Sequence, residues 1–148
     1  MEGIIFIGIQ ATGKSTFYKQ KFFHTHLRLN LDMLNTRNKE SQLLNTCLAL
    51  HQRVVIDNTN PTVEDRRRYI HLFQKAKYKT VGYYFQSELE KSRYRNQQRE
   101  GKARIPDIGI IATHKKLILP TYLEGFDELY YVQIVDQDFV ITEWKDEI

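Results

Sequence analysis

Short apolar runs alternate with segments of helical periodicity along the whole chain. Runs typical of buried strands lie at residues 3–8, 27–31, 53–57, 79–86 and 128–135. Leu44 and Cys47 belong to one apolar stripe between these runs, and Tyr69, Ile70 and Phe73 belong to another. This alternation predicts repeated β-α-β units, and so an α/β fold with a parallel sheet of about five strands and helices on both faces.

Local signals add detail to this outline. Ser87 with Glu90 predicts a capping box at the start of a helix. Pro106 suits the first turn of a further helix, which we expect to run to about residue 119. The tail at 139–144 predicts a short hairpin partner for the last strand. Since parallel sheets bind ligands at the carboxyl ends of their strands, functional residues should lie just after strands.

Composition places the chain among ordinary globular proteins. Its 148 residues fit one compact domain, 1–148, and 41% of them are hydrophobic. We find no apolar run of the kind that forms a signal peptide or membrane span, so we expect a cytoplasmic protein without a membrane partner. Cys47 is the only cysteine, which excludes an internal disulfide and favours a core position. The net charge of +4 fits a polyanionic partner or a solvated surface.

One motif directly after the first strand carries specific chemistry. The run comprises Gly8, Ile9, Gln10, Ala11, Thr12, Gly13, Lys14, Ser15 and Thr16, and its first eight residues satisfy every position of G-x-x-x-x-G-K-[ST]. A glycine-rich loop between a strand and a helix surrounds phosphate groups with backbone N–H donors. Lys14 is placed to reach the β and γ phosphates, and the Ser15 hydroxyl is placed to ligate Mg²⁺. The motif predicts binding of ATP or another nucleoside triphosphate.

Two carboxylates follow the second and third predicted strands. Asp32 could accept a proton from a substrate hydroxyl during phosphoryl transfer, or it could serve as a helix cap or turn residue. Asp57 resembles a Walker B acid that holds a magnesium-bound water, and the alternative is an Asx turn before a proline. Asn58 and Asn60 offer polar groups to the substrate from the same turn.

Arginines cluster further along the chain. Arg95 and Arg99 stand four residues apart, which predicts one helical face with two guanidinium groups aimed at one target, as in a kinase lid. The alternative is a solvated, ion-paired face. We interpret the run Arg66-Arg67-Arg68 as a solvated helix face.

Taken together, these motifs resemble the 5'-OH polynucleotide kinase family, including the kinase domain of the animal polynucleotide kinase phosphatase and the phage enzyme. The matching segments are GIQATGKST, Asn30-x-Asp32, Asp57-Asn58-Thr59-Asn60-Pro61, Arg95-x-x-x-Arg99, Ile105-Pro106 and Pro120-Thr121-x-x-Glu124-Gly125-Phe126. The resemblance implies a P-loop kinase fold with a helical lid, and transfer of a γ-phosphate to a 5'-hydroxyl end of RNA or DNA.

The resemblance also implies roles for individual residues. Lys14 and Ser15 would bind phosphate and magnesium, Asp32 would be the general base, and Arg95 and Arg99 would be the lid arginines. The family's phage-type pattern has an arginine three residues after the base, whereas here the nearest one is Arg37, five residues on. Either Arg37 reaches the acceptor's 3' phosphate or acceptor binding differs.

The 148 residues have room only for a kinase unit, so end repair would need separate phosphatase and ligase partners. Two other functions remain alternatives at this point. One is a P-loop kinase for a small metabolite or nucleoside, and the other is a nucleotide-gated binding module without turnover.

Overall fold

The computed structural model describes residues 1–145. The strands are β1 (Glu2–Ile7), β2 (Leu27–Leu29), β3 (Val54–Ile56), β4 (Lys79–Phe85), β5 (Glu128–Val135) and β6 (Asp138–Glu143). The α-helices are α1 (Lys14–Lys21), α2 (Leu31–Leu34), α3 (Arg37–Ala49), α4 (Val63–Lys75), α5 (Leu89–Gln97) and α6 (Asp107–Lys116). Two 3₁₀ turns lie at Gly101–Ala103 and Tyr122–Glu124.

The strands form one six-stranded sheet in the order β2-β3-β1-β4-β5-β6. The first five strands in chain order pair in parallel, and β6 pairs antiparallel with β5. The predicted parallel sheet and its terminal hairpin are therefore confirmed. All five parallel strands end at the same edge of the sheet, so the segments that follow them converge there.

The core lies on both faces of the sheet because successive residues of a strand point to opposite sides. Ile5 and Ile7 pack with apolar residues of α3 and α4 on one face. Ile4 and Phe6 pack with α1 on the other face. The predicted helical layers on both faces are confirmed, and Cys47 is a core residue at 2% exposure.

A lid formed by α5, the first 3₁₀ turn and α6 extends from the end of β4. Asn96 fastens its two helices together. The side-chain Nδ2 of Asn96 donates to Ile105 O at 2.6 Å, while Oδ1 accepts from Ile105 N at 3.0 Å. Arg93 donates to Asp107 across the same junction at 3.1 Å. The helical lid with its arginines is present as expected.

Three local predictions are wrong. Ser87 does not cap α5, whose N-cap is Glu88. The Ser87 hydroxyl instead accepts from Ile9 N at 3.0 Å and donates to Phe85 O at 2.8 Å. The helix α6 ends at Lys116, short of residue 119, because Ile118 N pairs with Pro61 O.

The third wrong prediction is that Arg66 lies on a solvated helix face. Arg66 is fully buried, although its arginine neighbours are exposed. Its Nε donates to Glu124 Oε1 at 2.7 Å, which is a partner 58 residues away in sequence. The local sequence around Arg66-Arg67-Arg68 does not indicate a partner so far along the chain.

Candidate active site

The loop between β1 and α1 has the shape that its glycines predict. Gly13 adopts φ +90°, and a Cβ at that position would come within 2.9 Å of the Phe139 ring. Gly8 N donates to Thr59 O at 3.0 Å, which ties the loop to the segment after β3. Thr12 closes the loop internally, since its hydroxyl donates to Ile9 O at 2.9 Å. The loop is thus held both by its own contacts and by neighbouring strand ends.

Lys14 lies inside this loop. Its Nζ donates to Gly8 O at 3.0 Å and to Ile9 O at 2.6 Å. Burial lowers the pKa of Lys14 to about 8, and the nearby carboxylates of Asp57 and Asp32 oppose that shift. A buried ammonium with little solvation is well suited to pair with a phosphate anion.

Ser15 and Asp57 lie side by side at the carboxyl end of the sheet. The Ser15 hydroxyl donates to Asp57 Oδ2 at 3.0 Å, and the Asp57 side chain is 2% exposed. Arg28, which the sequence motifs do not mark, donates from Nε to the same Oδ2 at 2.7 Å and from Nη2 to Ser15 Oγ at 2.9 Å. The only sequence signal for Arg28 is the alternation of apolar and polar residues in Leu27-Arg28-Leu29, which predicts that its side chain points to the opposite face of the sheet from its neighbours.

Two asparagines connect the ends of β2 and β3. Asn30 Nδ2 donates to Asp57 O at 2.6 Å, and Asn58 Oδ1 accepts from Leu31 N at 2.9 Å. Asn30 also caps α2 by accepting from Met33 N at 3.1 Å. Asp32 is therefore not the cap. It lies in the first turn of α2 with an exposed side chain.

These elements line a cavity of about 290 Å³, which we call the central cavity. Its lining includes Lys14, Ser15, Asp32, Asp57 and Arg99, with further residues from the P-loop, the turn after β3 and the lid: Gln10, Ala11, Asn30, Leu31, Asn58, Thr59 and Ile105. The structure therefore brings the predicted phosphate-binding lysine, both carboxylates and one lid arginine into one space.

Two predicted substrate-binding residues are placed elsewhere. Asn60 is 3% exposed, and its Nδ2 donates to Phe6 O at 2.8 Å beneath the loop. Arg37 donates to Tyr69 Oη at 2.9 Å and to Glu40 Oε1 at 3.3 Å. Glu40, which sequence reasoning missed, also accepts from Asn58 at 2.9 Å and so supports the cavity wall from behind.

A second cavity measures about 260 Å³ and shares Ala11 and Arg99 with the central cavity; we call it the outer cavity. Gly13 and Thr16 form one side of it, Ile134, Gln137 and Phe139 of the β5–β6 hairpin form another, and the remaining lining residues are Ala11, Gln20, Arg95 and Arg99. The predicted phosphate-binding loop therefore contributes to the lining of two neighbouring cavities.

The two lid arginines differ in position. Arg95 is in the last turn of α5, and its Nη1 lies 3.4 Å from Ala11 O. Arg99 follows the end of α5 at Gln97, so the prediction that both share one helical face is wrong. The helix ends early because Gln98 N and Arg99 N turn back onto carbonyls of Arg95 and Asn96. Arg99 nevertheless contributes to both cavities.

The donor set at Ser15 and Asp57 fits a magnesium ion that also binds phosphate oxygens. Within residues 1–145 there is no group of three or more His, Cys, Asp or Glu side chains arranged to hold a metal. In nucleotide sites, however, Mg²⁺ commonly uses only one or two protein oxygens and takes the rest from phosphates and water. A hydroxyl and a carboxylate 3.0 Å apart satisfy that requirement.

Comparison with known proteins agrees with this geometry. A family model described as an AAA domain matches residues 4–110, which include the P-loop, both carboxylates and the lid as far as the first turn of α6. The chain belongs to this family. Its P-loop kinase fold implies nucleotide binding. Among the described residues, we find no helix with the length and apolar character needed to cross a membrane.

Two curated relatives confirm the resemblance to polynucleotide kinases. The bifunctional polynucleotide phosphatase/kinase of Schizosaccharomyces pombe is 30% identical over 129 residues, covering 84% of this chain and 32% of the relative. The putative bifunctional polynucleotide phosphatase/kinase of Acanthamoeba polyphaga mimivirus is 30% identical over 153 residues, covering 97% of this chain and 36% of the relative. The chain thus spans about a third of the length of these relatives.

Solved structures support the fold of this family member. Chaetomium thermophilum Kti12 in complex with ADP-AlF3 matches with a TM-score of 0.67 at 15% identity, over 92% of this chain and 90% of that one. A gluconokinase from Sinorhizobium meliloti 1021 matches with a TM-score of 0.63 at 14% identity, over 91% of this chain and 83% of that one. At such low identity, these matches establish the architecture alone.

Proposed function

We propose that residues 1–148 form a single polynucleotide 5'-hydroxyl kinase domain that transfers the γ-phosphate of ATP, or of another nucleoside triphosphate, to a 5'-OH end of RNA or DNA. The observation that carries the proposal is the central cavity, whose lining includes Asp32, Lys14 and Arg99. A cation that binds the donor phosphates, a proton acceptor and a charge-stabilising arginine are the parts that phosphoryl transfer needs.

We assign the nucleoside of the donor to the outer cavity and the acceptor hydroxyl to the central cavity. The triphosphate lies on the P-loop with its nucleoside in the outer cavity, where Phe139 and Ile134 provide apolar surface and Arg95 provides a cation. The γ-phosphate points across Lys14 into the central cavity. Ser15 and Asp57 would hold a magnesium ion there, and its charge would help to neutralise the donor phosphates. The acceptor hydroxyl enters from the side of Asp32 and Asn58.

Asp32 acts as the general base. The reaction has a loose transition state, so an ordinary carboxylate that orients the hydroxyl and accepts its proton late is sufficient. The lid carries Arg99 to the oxygens of the transferring phosphoryl group, where its guanidinium stabilises charge. Lys14 holds the donor phosphates during the same step.

A general base that is exposed to solvent favours the end of a polymer as acceptor over a small molecule that must be enclosed. The Asp32 side chain is exposed, and the neighbouring Met33 is 62% exposed, so the acceptor side is open to solvent. The names of the two curated relatives point to the same acceptor class. In this role the protein would work in nucleic-acid repair in the cytoplasm.

The alternative is a P-loop kinase for a small metabolite or nucleoside, and an acceptor panel separates the two. The purified protein is incubated with labelled ATP, or GTP, and with 5'-OH RNA, 5'-OH DNA, nucleosides or gluconate. We expect label in an oligonucleotide and background levels in the small acceptors. Label confined to a nucleoside or sugar would overturn the proposal in favour of the alternative.

A further inference from the structure

Arg28 contacts both side chains of the proposed magnesium site. Its Nε and Nη2 donate to Asp57 Oδ2 and Ser15 Oγ at 2.7 and 2.9 Å, and its Nη1 lies 2.9 Å from Met33 Sδ. The Arg28 side chain is 24% exposed, whereas that of Asp57 is 2% exposed. A cation from β2 is thus fixed against the hydroxyl and carboxylate that a divalent cation would use.

These contacts occupy electron pairs that a metal ion needs. The Ser15 hydroxyl gives its hydrogen to Asp57 and accepts from Arg28, which leaves one lone pair on the oxygen. Asp57 Oδ2 accepts from both Ser15 and Arg28. A metal ion that binds Ser15 Oγ therefore shares this oxygen with the guanidinium and lies close to its positive charge.

The charge balance of the site also disfavours a free divalent cation. Lys14, Arg28 and Arg99 are cations at this site, and Asp32 and Asp57 are its carboxylates. The positive charge of Arg28 lies 2.7 Å from Asp57 Oδ2 and offsets the negative charge of that carboxylate. The resulting excess of positive charge repels a free divalent cation and attracts a triphosphate.

We infer that Arg28 makes divalent-cation binding conditional on the nucleotide: the protein alone holds Mg²⁺ weakly, and the cation is retained only when phosphate oxygens complete its coordination. This inference rests on the nucleotide site of the proposed function and is independent of the acceptor. It assigns Arg28 a positioning and charge-balancing role toward Ser15 and Asp57.

Direct cation binding to the nucleotide-free protein tests the inference, with Mn²⁺ as the probe, electron paramagnetic resonance as the readout and Mg²⁺ as the competitor. Removing a unit charge a few ångströms from a divalent cation changes affinity by at least about tenfold. We therefore expect Arg28→Met to tighten Mn²⁺ binding by about tenfold or more, and Arg28→Lys, which keeps the charge, to bind as weakly as the wild type. Arg53→Met is the matched control, because exposed Arg53 precedes β3 at the opposite end of the sheet.

Arg28→Gln provides a second neutral variant that keeps a hydrogen-bond donor for Asp57, and circular dichroism reports the fold of each variant. The added substitution Asp57→Asn in Arg28→Met should cancel the gain and so locate it at this site. Unchanged or weaker Mn²⁺ binding in both neutral variants would overturn the inference, as would an equal gain in Arg53→Met. The Mn²⁺ assay contains no oligonucleotide, so the inference about Arg28 and the proposed polynucleotide acceptor can be contradicted independently of each other.

Discussion

Arg66 and Glu124 form an ion pair that is nearly sealed from solvent. Arg66 Nε lies 2.7 Å from Glu124 Oε1, Nη2 lies 3.1 Å from Oε2, and the two side chains are 0% and 7% exposed. Nη1 also donates to Asn60 O at 3.0 Å. The pair therefore links α4 and the second 3₁₀ turn to the backbone of the turn that follows Asp57.

We expect Glu124→Ala to lower the free energy of unfolding by about 3–5 kcal/mol, because it leaves a buried guanidinium without its counter-charge. Urea unfolding measures this change, and Arg67→Ala on the exposed side of α4 is the control. A loss below about 1 kcal/mol, typical of an exposed pair, would show that the contact does not fasten the turn.

His26 gives the fold a defined pH dependence. It is 7% exposed, its Nε2 lies 2.9 Å from Glu2 Oε1, and burial lowers its pKa below the usual 6.5 despite that carboxylate. The unfolded chain therefore binds the extra proton first, so stability falls as the pH drops below about 6.5.

The melting temperature of the wild type should fall between neutral pH and about pH 5, and His26→Gln should flatten part of that fall. Exposed His24→Gln is the matched control. A wild-type and a His26→Gln protein with parallel pH profiles would remove His26 as the cause.

The lid arginines should have separable kinetic effects. Arg99 contacts the central cavity, so we expect Arg99→Ala to lower kcat by at least about a hundredfold with a smaller change in the nucleotide KM. Arg95 lines only the outer of the two cavities, so Arg95→Ala should chiefly raise the nucleotide KM. Steady-state kinetics with exposed Arg104→Ala as control measures both. The reverse pattern would contradict the assignment of the cavities.

The fold could be predicted well because its signals are local. The apolar run before Gly8 and the glycine-rich loop itself define β1 and the start of α1, and alternating strands and helices define the parallel sheet. The same reasoning put Asp32 and Asp57 at one edge of the sheet, since strand ends meet there. Both carboxylates do line the central cavity.

Long-range partners could not be predicted from local patterns. Nothing near Arg28 in the sequence shows that β2 will place it against Asp57, 29 residues away. Ser87 resembles a helix cap, but Ile9 N, 78 residues earlier, is its partner. Glu40 draws Arg37 away from the cavity through contacts that also involve Tyr69, 29 residues away from Glu40. For Ser87 and Arg37, tertiary contacts overrode a role that the sequence suggested.

The central claim is that Asp32 activates a 5'-hydroxyl for attack on a triphosphate held by Lys14. The most direct measurement is transfer of labelled γ-phosphate to a 5'-OH oligonucleotide by the wild type and by Asp32→Asn, with Glu64→Gln as an exposed carboxylate control. We predict transfer by the wild type and the control, a loss of at least about a hundredfold in Asp32→Asn with nucleotide affinity retained, and no labelling of the 5'-phosphorylated oligonucleotide. Transfer by Asp32→Asn near the wild-type rate, or no transfer by the wild type, would contradict the account.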